Sequence, residues 1–522
     1  VSLVHANISL TIWNAAAASP ESIAVRDLGT GRQLTYRELR NAAANIAAGF
    51  LERGLRPGDR VAMLLHNSCE YVTTFFGALA AGMVVVPLNT RLTVQDFSHM
   101  LTDAGAAAVV TDPPFIAMLR SEPSLELPLV VDVTGKSSGA ISLTELSVPS
   151  DAEPYAQDPE DLCSLMYTSG TTGSPKAVML SHGAWSSVSD TCVELLGFKD
   201  GIAVMHPAPL THGAGFLMLP TFRHAGINLL CRSFDAADTA SRIHSGEAEG
   251  MFLVPSMIRM LLDVLPEDWE PASTFGWVYY AGSPIDSSTF LEATDRLAGK
   301  LVQSFAQMEA PMFLTSLSSA DHLDTASGAT SDLSRSAGRL IRGREIRVVD
   351  ADGHDVEPGE VGEIWATAPQ LMSGYWNRSE ETAKTLAQGW LHTGDMGRFD
   401  TDGYLFLVDR VKDMIVTGGS NVYAREVEDV LVAVPGVERA AVVGLPHRIW
   451  GEEVTAVLVA SKQPVPADDA IQEHCRQSLA GYKVPKRIIW VDELPTNAYG
   501  KVLKRELRTS LAGQPAGQVS TV

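Results

Sequence analysis

The stretch Tyr167-Thr168-Ser169-Gly170-Thr171-Thr172-Gly173-Ser174-Pro175-Lys176 gathers glycines, hydroxyl side chains and a lysine into ten consecutive positions. Glycine lets a backbone bend tightly enough to aim several N–H groups at one anion. Hydroxyls add donors, and lysine adds a compact positive charge. The guest such a loop suits is a polyphosphate. The order Gly170-x-x-Gly173-x-x-Lys176, with a proline before the lysine, differs from the P-loop order G-x-x-x-x-G-K-[ST]. By itself the same composition also describes an ordinary Gly/Ser/Thr surface loop. What decides between the two is what the chain carries elsewhere.

A frame must hold that loop. Leu162–Tyr167, just before it, is an apolar run that reads as a buried strand. At 522 residues the chain needs more than one core. Its 45% hydrophobic and 20% charged fractions are those of a globular protein. A formal charge of −22 argues against general nucleic-acid or anionic-membrane binding, while leaving room for a local basic pocket. Five scattered cysteines, without metal-ligand spacing, read as reduced thiols of a cytoplasmic protein. No Lys or Arg precedes Arg26, so the basic region of a signal peptide is not expected. Tyr71–Thr90 carries no charge, but Gly82 and Pro87 interrupt it, which predicts a buried helix and a buried strand rather than a membrane span.

The early chain alternates helix and strand signals. Thr35 and Glu38 form a capping box; Leu39, Ala43, Ile46 and Phe50 follow at helical spacing, and Gly54 stops the helix. Strands are predicted at 61–65 and 108–110, and after the loop at 227–230, 251–253 and 277–280, with helices between them. This predicts parallel sheets covered by helices. After Arg339, short strands with Gly/Asp turns suggest a small antiparallel barrel. Beyond Asp409–Asp413 about a hundred residues read as a small α+β domain.

Read together, several stretches resemble the adenylate-forming superfamily of acyl-CoA synthetases, luciferases and peptide-synthetase adenylation domains. Tyr167–Lys176 resembles its phosphate loop and Trp390-Leu391-His392-Thr393-Gly394-Asp395 its ribose motif. Asp409-Arg410-Val411-Lys412-Asp413 resembles its hinge, and Pro495–Leu507 its C-terminal lysine motif. The likeness runs in order along nearly the whole chain. It implies an α/β fold: a large N-terminal domain, 1–411, of two doubly wound α/β layers plus a small β-barrel, and a small α+β C-terminal domain, 412–522, on a hinge.

The chemistry the resemblance implies is a two-step ligation. A carboxylate attacks the α-phosphorus of ATP, pyrophosphate leaves, and a thiol or amine then displaces AMP. Lys501 would bridge the carboxylate and α-phosphate. Thr168, Ser169, Gly170, Thr171, Thr172, Gly173 and Lys176 would hold phosphates, and Glu309 with Thr168 would serve Mg²⁺. Gly282, Ser283, Pro284 and Phe305 would meet the adenine, and Asp395 and Arg410 the ribose. His212, Gly213, Ala281, Gly282, Gln307 and Met308 would line the acid pocket, His212 with a catalytic role, and Lys412 would be the pivot. Phe216, Met312 and Phe313 are further candidates for an apolar pocket wall, or equally for core. CoA is the first candidate acceptor; Trp450 and a basic cluster, Arg448, Arg476, Lys483, Lys486 and Arg487, lie where it could bind.

The pattern also departs from the family. Phe305-Ala306-Gln307-Met308-Glu309 stands where aromatic-Gly-x-Thr-Glu is usual, so Met308 replaces a hydroxyl that commonly touches phosphate. One lost donor is worth about 1–3 kcal/mol if nothing substitutes. Ala177 replaces a glycine, and Thr496 and Asn497 stand where a basic residue and a threonine are common. Three readings stay open: an acyl-CoA ligase, a ligase that uses an amino-acid amine, and a binding protein that has lost turnover.

Overall fold

The computed structural model describes residues 6–168, 175–329, 333–461, 465–496 and 502–511. The chain divides into two compact units, one of residues 1–346 and 366–391, the other of residues 347–365 and 392–522.

In the first unit one sheet follows the strand order Gly374–Tyr375, Lys176–Ser181, Leu162–Thr168, Val84–Pro87, Arg60–Leu64, Ala106–Thr111, Leu129–Asp132, Ile141–Ser142. The strands from Leu162–Thr168 onward pair in parallel, whereas the two at the other edge are antiparallel. Val84–Pro87 is buried at every position, as expected of a strand covered on both faces. The uncharged stretch before it is the helix Cys69–Ala80, capped by Ser68 and ended near Gly82, whose φ of 76° suits glycine. Among the described residues no helix is long and apolar enough to cross a membrane. The capping box at Thr35 and Glu38 is present and starts the helix Tyr36–Glu52, which buries Leu39, Ala43, Ile46 and Phe50.

A second sheet in this unit places Gly250–Leu253, Trp277–Tyr280 and Leu301–Gln307 side by side in parallel. Leu301–Gln307 then turns back antiparallel into Ala310–Leu317. The chain is thus α/β with doubly wound layers, as the alternation predicts.

In the second unit Trp390–Phe399 pairs antiparallel with Tyr404–Arg410, and Glu345–Val349 and Gly362–Thr367 continue that set of short strands. By compactness these strands group with the C-terminal α+β element. The α+β element is built on the long hairpin of Val437–His447 and Gly451–Ala460, covered by the helices Ala424–Val432 and Asp468–Ser478. On its other face the helix Lys504–Leu511 buries Leu507 and Leu511.

That last helix is also held by charge. Lys504 Nζ lies 2.7 Å from Glu428 Oε1, with both side chains under a fifth exposed. The same carboxylate oxygen accepts the Val442 N–H at 2.7 Å. Burial pushes the Glu428 carboxyl up, against the pull of Lys504. Lys504→Ala strands this carboxylate without its cation and is expected to destabilise the C-terminal element by about 3–5 kcal/mol. Denaturant unfolding followed by a probe in that element measures it, and Lys504→Met/Glu428→Leu should recover most of the loss.

Candidate functional site

The strands flanking the Gly/Thr stretch pair with Thr168 opposite Lys176, so the chain between them turns back at the sheet edge. Ser169, Gly170, Thr171, Thr172 and Gly173 themselves lie outside the described residues. Thr168 Oγ1 sits 3.5 Å from the Lys176 carbonyl. The Lys176 ammonium lies 5.3 Å from the centroid of the Tyr375 ring, over its face. Tyr375 Oη donates a 2.7 Å hydrogen bond to Glu309 Oε1. Burial, and then the Glu309 charge, raise the Tyr375 pKa, so the phenol stays protonated and remains a donor at neutral pH. Glu309 and Met308 occupy the two-residue connection between Leu301–Gln307 and Ala310–Leu317, where Gln307 pairs with Ala310. Lys176, Tyr375 and Glu309 thus form a contiguous chain.

The residues expected to line the acid pocket lie on and beside the second sheet. His212, Gly213, Ala281, Gln307 and Met308 are each half-buried, and Gly282, Ser283 and Pro284 are exposed. Met308 and Ala281 pack against the large apolar cluster that contains Phe252, as do Val254 and Met257. A Cβ on Gly213 would stand 3.3 Å from the Phe252 ring, so glycine keeps that wall open. Phe216, Met312 and Phe313 are instead closed into the core, Phe216 with its ring 4.3 Å from that of Trp185. Of the two roles open to these three, core is the one they fill. Phe305 is also buried at 6% exposure, leaving little ring accessible to a base. Met308, which stands where the family usually has a hydroxyl, is partly buried and packs against this apolar cluster. Ala177 likewise has a local reason, since its methyl is buried in the cluster that holds Leu165 and Tyr167.

In the second unit Asp395 and Arg410 are cross-strand partners, with Arg410 Nε 2.8 Å from Asp395 Oδ1. Asp395 is buried at 7% exposure and its backbone N–H is held by Thr393 Oγ1 at 3.1 Å. Lys412 lies in the short 3-10 segment Val411–Asp413. Lys501 and Asn497 lie outside the described residues; the flanking Thr496 and Val502 bridge antiparallel. In the expected CoA region Trp450 is exposed, and a Cβ on Gly418 would stand 3.0 Å from its ring. Lys483 of the basic cluster is engaged by Glu426 at 2.6 Å.

The hard oxygen donors Mg²⁺ requires are present in the Glu309 carboxylate and the Thr168 hydroxyl, joined through Tyr375 and Lys176. One Glu309 oxygen is engaged by Tyr375 and the half-buried carboxylate keeps its second oxygen, a donor set that fits a metal bound with polyphosphate.

Residues 12–376 match the AMP-binding enzyme family, and residues 426–501 match the AMP-binding enzyme C-terminal domain. The chain belongs to the AMP-binding enzyme family. It is 37% identical over 503 residues to a feruloyl-CoA synthase from Amycolatopsis sp, covering 94% of this chain and 96% of that one. It is 34% identical over 508 residues to the long-chain-fatty-acid–CoA ligase FadD13 of Mycobacterium tuberculosis, covering 96% and 98%. Among solved structures it is similar to the amide bond synthetase McbA from Marinactinospora thermotolerans, with a TM-score of 0.86 and 30% identity over 97% of this chain and 100% of that one. The chain is an adenylate-forming acid ligase.

Sequence reasoning passed over residues that build this family site. Tyr375 follows Gly374, whose φ of 139° and 2.7 Å Cβ approach to Thr382 exclude a side chain; the Gly-Tyr-Trp run was the available signal. Asn67 donates to the carbonyls of His206 at 3.0 Å and Ala208 at 2.9 Å and accepts the Leu210 N–H at 2.9 Å. It thereby clamps the loop that delivers His212. A lone Asn offers no sequence signal of that kind.

Burial lowers the pKa of His206, His212 and His322 to about 4. His322 is engaged at both ring nitrogens, Nδ1 2.7 Å from the Ser318 carbonyl and Nε2 3.0 Å from Tyr280 Oη. That pairing fits neutral imidazole, with Nδ1–H donating and Nε2 accepting. As pH falls the unfolded chain takes up these protons first, near the ordinary histidine value of about 6.5. Stability from the three groups is therefore complete above that value and lost between about 6.5 and 4, by up to ~3 kcal/mol for each. Melting from pH 7 to 4.5 should show this fall, with a shallower slope in His322→Gln.

Proposed function

We propose that this ligase activates a carbon-rich acid, uncharged beyond its carboxylate, as the acyl-adenylate, and then transfers the acyl group to the thiol of CoA. The observation that carries the reading is the Lys176–Tyr375–Glu309 chain beside the Gly/Thr stretch, next to a half-open wall of Met308, Ala281 and Gly213. A lysine, backbone donors and hydroxyls there would take the β- and γ-phosphates and oppose the charge that builds as pyrophosphate leaves. Mg²⁺, when bound, would supply further charge neutralisation at the phosphates; Glu309 and Thr168 would hold it.

Asp395 is suited to accept the paired ribose hydroxyls, and Arg410 orients it. His212 is held neutral by burial, so it would line the acid pocket as a dipole rather than as a cation. Lys501 would bridge the acid and the α-phosphate, with Lys412 the pivot that exchanges it for the acceptor-binding face. CoA is favoured because the feruloyl and fatty-acid relatives are named as CoA ligases. An amine acceptor is the second reading, supported by the likeness to an amide bond synthetase. A cytoplasmic setting agrees with five free, buried cysteines.

Pyrophosphate exchange across a panel of aromatic and aliphatic acids tests activation, and product analysis with CoA or amino acids then tests the acceptor. Thioester formation is the expected result; amide formation without CoA consumption would replace the first acceptor reading by the second. No exchange with any acid, while ATP binds, would remove both. Lys501→Ala is expected to slow exchange by about 100- to 1,000-fold. Lys412→Pro should leave exchange within a few-fold while thioester formation drops far more; equal loss of both would count against the pivot.

A further inference from the structure

Lys176 and Glu309 are opposite charges served by one aromatic ring, yet they do not pair directly. The cation lies over the Tyr375 face and the carboxylate at the Tyr375 hydroxyl. Two buried tyrosines spend their hydroxyls on backbone carbonyls, Tyr36 on Gly226 at 2.7 Å and Tyr71 on Leu210 at 3.2 Å, whereas Tyr280 meets His322 Nε2 at 3.0 Å and Tyr167 the Asp103 carboxylate at 2.9 Å. Tyr375 spends its hydroxyl on a half-buried carboxylate that has its own access to solvent.

The segment that carries Tyr375 is fastened on several sides. Its backbone N–H donates to Thr382 Oγ1 at 2.9 Å, and the Trp376 N–H donates to the Ala177 carbonyl at 2.9 Å. Trp376 Nε1 donates to the Asp103 carbonyl at 3.1 Å. The Asp103 carboxylate accepts Arg378 Nη2 on one oxygen and Tyr167 Oη on the other, both at 2.9 Å. Tyr167 immediately precedes Thr168, so one half-buried aspartate registers Tyr375 against the strand entering the Gly/Thr stretch. The Met372 N–H also donates to the Glu309 carbonyl at 2.8 Å, which fixes the third partner.

We propose that Tyr375 is a positioning residue that keeps Lys176 and Glu309 from collapsing onto each other, so that the cation stays available to phosphate and the carboxylate to the metal. This inference rests on the nucleotide reading above. A direct ammonium–carboxylate pair would satisfy both charges internally and withdraw them from the ligand. The ring prevents that by giving each charge a weaker, separate partner.

The test measures binding, with Mn²⁺ as the metal probe followed by electron paramagnetic resonance in the presence of ATP. Tyr375→Phe keeps the ring under Lys176 and removes only the hydroxyl. It is expected to weaken Mn²⁺ binding in the ternary mixture about tenfold, while metal-free ATP binding shifts less than about threefold. Tyr375→Leu removes the ring as well and should weaken metal-free ATP binding too. In a Glu309→Gln background Tyr375→Phe should add little, because it acts through that carboxylate. Asp103→Asn leaves Tyr375 itself intact and should move Mn²⁺ binding in the same direction by a smaller factor, a second route should Tyr375→Phe fold poorly. Unchanged Mn²⁺ binding in folded Tyr375→Phe, or fully additive losses in the double variant, would overturn the proposal. Failure of the unaltered chain to bind ATP at all would instead overturn the nucleotide reading beneath it.

Discussion

The candidate site depends on one departure from parallel pairing. The sheet that begins parallel across Arg60–Leu64 and Val84–Pro87 ends in an antiparallel edge of Leu162–Thr168, Lys176–Ser181 and Gly374–Tyr375. Parallel strands would need a long crossover between Thr168 and Lys176, which could not hold a short anion-binding connection at that point. Antiparallel pairing puts both ends of the stretch opposite each other and brings Tyr375 alongside through its pairing with Val178. The register is enforced from below. Leu165, Tyr167 and Ala177 are buried in one cluster and Cys163, Met166 and Val178 in the cluster on the other face, so a slip of one residue would force each set into the other's packing.

A second consequence is the separation of polar and apolar work. Charges gather at the sheet edge, where solvent and ligand can reach them. The residues expected to line the acid pocket stand on the neighbouring sheet, at the loop 207–215 and the turn at Met308 and Glu309. This turn belongs to both regions. Its methionine faces the apolar cluster while its glutamate meets Tyr375. The apolar packing of Met308 accounts for a thioether where the family usually has a hydroxyl. The His212 loop can be rigid because Asn67 satisfies two of its carbonyls and one of its N–H groups. Gly215 also lets the backbone pass where a Cβ would meet the Leu210 carbonyl at 2.1 Å.

Much of this was legible in the sequence because local signals and tertiary structure agree. The capping box at Thr35 and Glu38 and the stop at Gly82 follow from short-range chemistry that folding did not override. Asp395 and Arg410 could be named from their motifs, and they prove to be cross-strand partners. Tyr375, Asp103 and Asn67 were not legible, for a common reason: their roles come from partners far away in the chain. Asp103 meets Arg378 and Asn67 meets Leu210, and neither meeting leaves a periodicity or spacing to read. Phe216, Met312 and Phe313 show the reverse limit. An apolar residue looks the same in a pocket wall as in a core, and only burial tells the two apart.

The C-terminal element extends the same logic to the pivot. The helix that follows the lysine motif is tied to the pivot segment itself: Arg508 Nη2 lies 3.0 Å from Asp413 Oδ1 and 3.4 Å from the Lys412 carbonyl. One turn earlier Lys504 is locked to Glu428 on the helix Ala424–Val432. The Leu503 N–H reaches the Pro495 carbonyl at 2.8 Å, so both described flanks of Lys501 join this framework. These charged contacts tie the final helix to the segment Val411–Asp413, on which the proposed pivot at Lys412 would act.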